Sequence, residues 1–315
     1  MHFLRVAQPS TLTYSTAANR PTTRGSAVHS GQKQKLECAL YVVATPIGNL
    51  RDISLRALDV LISADIIAAE DTRNTSNLLM HYSIAANRLI ALHQHNERAA
   101  AEKVIALLAR GQSIALVSDA GTPAISDPGA ILVAEVRAAG YPVIPIPGAN
   151  AALAALSAAG LPAPHFLFYG FLPNKTAARC RALQELIALP YTLIFYEAPH
   201  RILECVTDLQ RVFGGDRQIV FAREITKLFE SIQRCSLAEA LVWLNGDPNR
   251  QRGEFVLLVS GAAAQQEGLD ADTEHVLTAL LHELPLKQAV QLTVRITGAG
   301  RNELYQRALS LKPSA

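Results

Sequence analysis

The chain has 315 residues, half of them apolar, with 29 basic against 27 acidic side chains and a net charge of +2. That length and apolar content suit two domains around sizeable cores, and the balanced charge leaves room only for local basic patches as nucleic-acid contacts. Cys38, Cys180, Cys205 and Cys235 form no CxxC pair, which argues against structural zinc or a disulfide framework and fits a reducing cytoplasm.

Residues 1–35 contain no acidic side chain and few large apolar ones, so residues 1–37 read as a disordered leader. With no amphipathic basic helix in it, an extended start is favoured over a transit peptide. Strand and helix signals then alternate. Strands are expected at 40–44, 66–69, 88–92, 113–117 and 143–146, and helices at 54–63, after Asp71, at 96–109 behind Asn96, and at 130–139. Asp127-Pro128 looks like the start of the last helix, a carboxylate N-cap followed by proline at the first helical position. These elements make a first α/β lobe, 38–149, whose sheet should be mostly parallel.

The stretch 138–174 carries no Lys, Arg, Asp or Glu. Its prolines and glycines break it into short buried pieces, so it does not read as a membrane span. Residues 148–160 form a small-residue helix that crosses into a second lobe, 150–263. There, strands are expected at 166–169, 193–196, 219–222 and 255–259, with helices at 177–188, 199–213 and 237–245. A polar linker begins at Gln265. A small helical domain, 270–315, then reads as helix 286–297, turn 298–300 and helix 301–309. It is either a helix-turn-helix or a helical hairpin docked on the body. Lys287, Arg295, Arg301 and Arg307 would suit phosphate contacts.

The most informative segment is Ser118-Asp-Ala-Gly-Thr-Pro-Ala-Ile-Ser-Asp-Pro-Gly129. It places Asp119 and the permissive Gly121 at the carboxyl end of a strand, where open α/β sheets bind small molecules. The first strand ends in Thr45-Pro-Ile-Gly-Asn-Leu50, where Pro46 and Gly48 suggest a tight turn. A lone glycine there removes the GxGxxG fingerprint of a dinucleotide site, and no phosphate-binding GxxxxGK[ST] loop occurs. Glu70, Asp71 and Arg73 open a helix at another strand end: Asp71 or Glu70 as base or hydroxyl orienter with Arg73 as phosphate clamp, or Asp71 merely capping the helix. Lys227, beside Arg223 and Glu224, is a second candidate base unless these charges pair with one another. His200-Arg201 would bind RNA phosphate or a dimer partner. His93 and His95 have metal-like spacing but no further ligand is placed, so no metal is expected.

Taken in order, Val43-Ala-Thr-Pro-Ile-Gly-Asn-Leu50, Ala69-Glu-Asp-Thr-Arg73, His93-Gln-His-Asn-Glu97, the 118–129 segment and Ile146-Pro-Gly148 resemble the tetrapyrrole methylase superfamily. Tyr169-Gly-Phe-Leu-Pro173, Phe195-Tyr-Glu-Ala-Pro-His-Arg201, Ala222-Arg-Glu-Ile-Thr-Lys227 and Gly253-Glu254 make it similar to the branch that methylates small-subunit ribosomal RNA. The resemblance implies a two-lobed α/β fold (class III S-adenosylmethionine methyltransferases) with a small C-terminal helical domain. It also implies a cytoplasmic homodimer that takes its methyl group from S-adenosyl-L-methionine and acts on the ribose 2′-oxygen of a decoding-centre cytidine in 16S rRNA of the small ribosomal subunit. No DNA or membrane partner follows from it. By position, Pro46, Gly48, Asp119, Gly121, Ala124, Ile125 and Ser126 would line the donor pocket. Pro147, Gly148 and Ala151 would lie near the adenine, faced by Phe168 and Tyr196. The alternatives are a porphyrinoid C-methyltransferase on the same fold and a non-catalytic RNA-binding assembly factor.

Overall fold

The computed structural model describes residues 35–85, 88–94, 96–161, 164–262 and 271–311. Most of the expected leader, His95 and the beginning of the expected linker at Gln265 lie outside the described residues.

Five short strands, β1 (Leu40–Val43), β2 (Ile66–Ala69), β3 (Arg88–Ala91), β4 (Ile114–Val117) and β5 (Val143–Ile146), build the first sheet in the order β3-β2-β4-β1-β5. Every pairing is parallel. β2 and β4 are buried along their whole length, which is why both read as unbroken apolar runs. From β1 the chain works out to the β3 edge and then back to β5. Right-handed crossovers in opposite directions place the intervening helices on opposite faces. Accordingly α1 (Leu55–Ser63) and α2 (Thr72–His81) bury Leu58, Leu61 and Leu79 in one core. On the other face α3 (Glu97–Leu108) and α4 (Ala130–Ala138) bury Val104, Leu108, Leu132 and Val136. Because the strands run the same way, the loops after β1, β2, β4 and β5 meet at one edge of the sheet.

Helix α5 (Ala151–Ala158), capped by Asn150, leads into the second lobe. Strands β6 (Phe166–Phe171), β7 (Thr192–Glu197), β8 (Gln218–Arg223), β9 (Ser231–Ser236) and β10 (Phe255–Val259) form its sheet in the order β6-β7-β10-β8-β9. Only β6 and β7 pair in parallel. Helices α6 (Thr176–Leu186), α7 (Ile202–Phe213) and α8 (Leu237–Asn245) cover one face with Leu183, Leu209, Leu237 and Leu244. On the other, Ala152 and Ala155 of α5 rest on Ile194, Val220 and Val256, an approach that their small side chains permit. Buried between α6 and α7, Arg179 grips Asp208 at 2.6 Å and donates to the carbonyls of Pro173 and Asn174.

Two elements depart from the sequence expectations. Strand β9 was not expected, because Ser231-Ile-Gln-Arg-Cys-Ser236 is an edge strand with few apolar residues to pattern. Inside the expected helical domain a further helix that was not expected, α9 (Ala271–Glu283), joins α10 (Leu286–Thr297) and α11 (Arg301–Leu311) around Leu277, Val290, Leu304 and Ala308. The expected turn after α10 is present, with Gly298 left-handed at φ +75° and its amide donating to Val294. Lys287, Arg295 and Arg301 are exposed, whereas Arg307 is paired with Glu274 at the Nε–Oε1 distance of 2.9 Å.

Candidate active site

Between the lobes, over the carboxyl ends of β1, β4 and β5, lies a cleft of about 340 Å³. Gly121, Ile125 and Asp127 wall it from the first lobe, and Ala151, Tyr196 and Val256 from α5 and the second. The loops after β1 and β4 are tied across its floor: Thr45 and Gly121 exchange backbone hydrogen bonds of 2.9 and 3.1 Å. Buried Thr45 Oγ1 also donates to the Ser118 carbonyl at 3.2 Å.

The β4 loop takes backbone conformations that ordinary residues avoid. Gly121 has φ +84°, and Ala124 and Ser126 have φ +67° and +65°. Non-glycine residues held there store strain that surrounding structure must hold, and such residues cluster at ligand sites. Ser126 is pinned from the second lobe, where a Cβ on Gly170 would lie 2.7 Å from Ser126 Oγ. Gly129, at φ +129°, precedes α4, which begins at Ala130. The helix begins where the 130–139 reading put it, but the expected cap is corrected: Asp127 is not its N-cap, and lines the cleft instead.

Acidic groups gather at the same edge. The Asp119 amide donates to Glu70 Oε2 at 3.2 Å, and Asp119 itself accepts from the Asp71 amide at 3.2 Å and from Asn74 Nδ2 at 2.8 Å. Burial, opposed by the Asp119 amide and reinforced by the Asp119 charge, raises the Glu70 carboxyl above its usual range. Burial and then the Glu70 charge push Asp127 up to about 6. Asp71 behaves oppositely. It caps α2 through the Arg73 amide and forms a two-pronged ion pair with the Arg73 guanidinium at 2.7 and 3.1 Å, which holds it at about 2.

On the other side, burial works against the Lys227 charge, but Glu254 at 2.7 Å and Glu224 at 3.0 Å keep its ammonium above the ordinary value. An ammonium so held is a poor proton acceptor, as is the Asp71 carboxylate. Tyr196 Oη accepts from the Ala152 amide at 3.3 Å, and its ring meets Phe168 edge-on with centroids 4.9 Å apart.

Of the residues named from sequence, Gly121, Ile125, Ala151, Tyr196 and Lys227 border the cleft directly. Phe168 buttresses Tyr196 from behind. Gly48 meets the other lobe, since a Cβ there would lie 2.5 Å from Lys227 Cγ. Gly148 sits against the residue that follows β1, with room for no Cβ beside Ala44 at 2.8 Å. Pro46, Ala124, Ser126 and Pro147 belong to the loops that shape the floor. Arg201 does not face outward as expected. It pairs with buried Glu197 at 3.2 Å and donates to the Leu172 carbonyl at 2.7 Å, bracing the turn after β6. Sequence reasoning missed Val256, Ala222 and Glu254, whose approach to the cleft depends on strand pairing far along the chain. His93 donates its amide to Asn96 Oδ1 at 2.8 Å, and among the described residues no group of His, Cys, Asp and Glu could hold a metal ion.

The family model described as tetrapyrrole (corrin/porphyrin) methylases matches residues 39–241, and that described as the RsmI C-terminal HTH domain matches 267–312. A protein of Escherichia coli O157:H7 named ribosomal RNA small subunit methyltransferase I is 53% identical over 270 residues, covering 86% of this chain and 94% of its own. A Pseudomonas aeruginosa protein of the same name is 53% identical over 272 residues, covering 86% and 96%. Among solved structures, the methyltransferase CobJ superposes with a TM-score of 0.54 at 22% identity, over 73% of this chain and 97% of that one. That likeness shows the fold.

Proposed function

Because the chain belongs to the tetrapyrrole methylase family, in the branch of the ribosomal RNA small subunit methyltransferases I, we propose that it transfers a methyl group from S-adenosylmethionine to small-subunit ribosomal RNA. The acceptor is the ribose 2′-oxygen of a decoding-centre cytidine in 16S rRNA, and the enzyme works in the cytoplasm as a homodimer. What supports this from the structure is the cleft, where strained backbone, an apolar panel and acidic side chains meet between the lobes.

The residues present suit such a donor. Backbone brought close at Gly121 and the 122–126 turns offers amides and carbonyls to a zwitterionic tail. Ala151, Tyr196 and Val256 supply an apolar panel for a purine, and Asp127 with Glu70 and Asp119 behind it favours positive charge. When bound, the donor supplies an electrophilic methyl group on sulfur.

Alignment of the ribose oxygen with that methyl group can account for most of the acceleration. The hydroxyl proton still needs an acceptor. Asp71 and Lys227 are held in ion pairs, so the proton goes to Asp127, whose carboxyl is raised by burial and by the Glu70 charge. Asp127 borders the cleft, and a value of about 6 leaves it ionised yet basic at neutral pH. Arg73, 87% exposed on its side chain, remains available to an RNA phosphate through the edge of its guanidinium not used by Asp71.

Calorimetric titration with S-adenosylmethionine tests the site. One molecule should bind per chain, and no heat at millimolar donor would defeat the proposal.

A further inference from the structure

We propose that Leu228 and Phe229, in the turn joining β8 to β9, form a platform on which an unstacked base of the acceptor RNA lies beside the methylation cleft. The inference rests on the function proposed above and names how that site holds its acceptor.

Their exposure is the first observation. Leu228 is 78% and Phe229 66% exposed, two adjacent large apolar side chains presented to solvent. Packing gives them no reason to be apolar, and adjoining exposed apolar groups mark contact sites more often than isolated ones do.

The second observation is how firmly the turn is held. Glu224 and Thr226 have φ +51° and +67°. The Thr226 amide donates to Glu230 Oε2 at 2.6 Å, the Lys227 amide to the Glu224 carbonyl at 2.9 Å, and the Glu230 amide to the Lys227 carbonyl at 3.2 Å. Arg223 Nη2 donates to the Phe229 carbonyl itself at 3.0 Å. A side chain on backbone fixed in this way loses little freedom when a ligand lands on it.

Location is the third. Ile225 and Lys227 of the same turn border the cleft, and Leu228 and Phe229 are the two residues that follow Lys227 in the chain. Thr226 Oγ1 accepts from the Asn49 amide at 3.1 Å, fixing the turn against the first lobe as well. An acceptor whose ribose enters the cleft therefore has its flanking nucleotide over these two side chains. Exposed Arg51, two residues beyond Asn49, offers a phosphate partner nearby.

A base suits this tip better than a second copy of the chain. A single aromatic ring is a complete stacking unit for a base. A second copy covering this tip as part of a larger face would show as a change of mass in the alanine variant.

The test compares full-length wild type with Phe229→Ala and Phe229→Trp. The readouts are methyl transfer from labelled S-adenosylmethionine to 30S particles lacking the modification, donor affinity by calorimetry, and mass by sedimentation. Stacking worth about 1–3 kcal/mol per base converts to a fall of roughly 5–150-fold in kcat/KM for the particles in the alanine variant. Donor affinity and mass should stay unchanged, and tryptophan should restore most of the activity. Alanine activity equal to wild type, an equal loss in both variants, or a fall in mass would each overturn the platform. A wild type that binds donor but leaves the particles unlabelled would instead overturn the function on which the platform rests.

Discussion

Asp119 and Glu70 lock two neighbouring strand ends together: the Asp119 amide donates to Glu70 Oε2 at 3.2 Å. The Asp119 carboxylate continues the link into α2 through the Asp71 amide and Asn74 Nδ2. Asp119→Ala removes those two acceptor contacts from an exposed position. We expect a stability loss of only about 1 kcal/mol but donor affinity weakened at least tenfold, read by thermal unfolding and calorimetry. Unchanged affinity would remove Asp119 from the donor site.

The raised carboxyl of Asp127 sets a pH dependence. With its value at about 6, kcat/KM should climb as pH rises from 5 to 7 and level off above. Asp127→Asn should abolish that limb along with most activity. A folded value above the ordinary carboxyl value of 3.8 also means the native state binds more protons, so this group's contribution to stability declines as pH rises from about 4 to about 6. The asparagine variant should therefore melt higher than wild type at pH 7, and the gap should close at pH 4. A gap that widens on acidification would contradict the assignment.

Gly48 is where the first lobe touches the turn after β8. An added Cβ would fall 2.5 Å from Lys227 Cγ and 2.9 Å from Thr226 Oγ1. Gly48→Ala should cost about 1–3 kcal/mol through overpacking and impair catalysis further by shifting Lys227. Thermal unfolding and turnover together check it, and a variant indistinguishable from wild type would show that the lobes separate freely there.

Deep in the second lobe, Asp208 is the close charge partner of wholly buried Arg179. Removing one member of such a pair leaves a charge stranded, at a cost of about 3–5 kcal/mol. Urea denaturation of Asp208→Ala should show that loss, while a paired Arg179→Met, Asp208→Leu replacement should recover much of it. Equal losses in the two variants would mean that packing, not charge, governs the position.

The C-terminal helices form a core of their own around Leu277 and Leu304. Deleting residues 265–315 should reduce binding to ribosomal particles much more than donor binding. Comparable loss of both would make the segment a structural brace.

Much of this was legible in the sequence because loops at parallel strand ends need unusual residues. Gly121, Pro123 and Gly129 stand out for their backbone demands, and Gly121 borders the cleft itself. Asp127 was misread because an Asp-Pro pair signals a helix cap, whereas Gly129, at φ +129°, holds the N-cap position of α4. The arginines were harder still. Arg201 looks like an RNA contact until the turn after β6 folds over it, and Arg223 is held by the carbonyls of Phe229 and Arg252. Edge strand β9 gave no alternation to read, whereas α9 does carry apolar residues at helical spacing, Val276-Leu277 and Leu280-Leu281, passed over behind the polar run that precedes them.

The most direct measurement is transfer of labelled methyl groups from S-adenosylmethionine to unmodified 30S particles, followed by nuclease digestion and mass spectrometry of the 16S rRNA. The label should reside in a single 2′-O-methylcytidine of the decoding centre. Label on a nucleobase, or a protein that methylates a porphyrinoid and leaves the particles untouched, would contradict the proposed function.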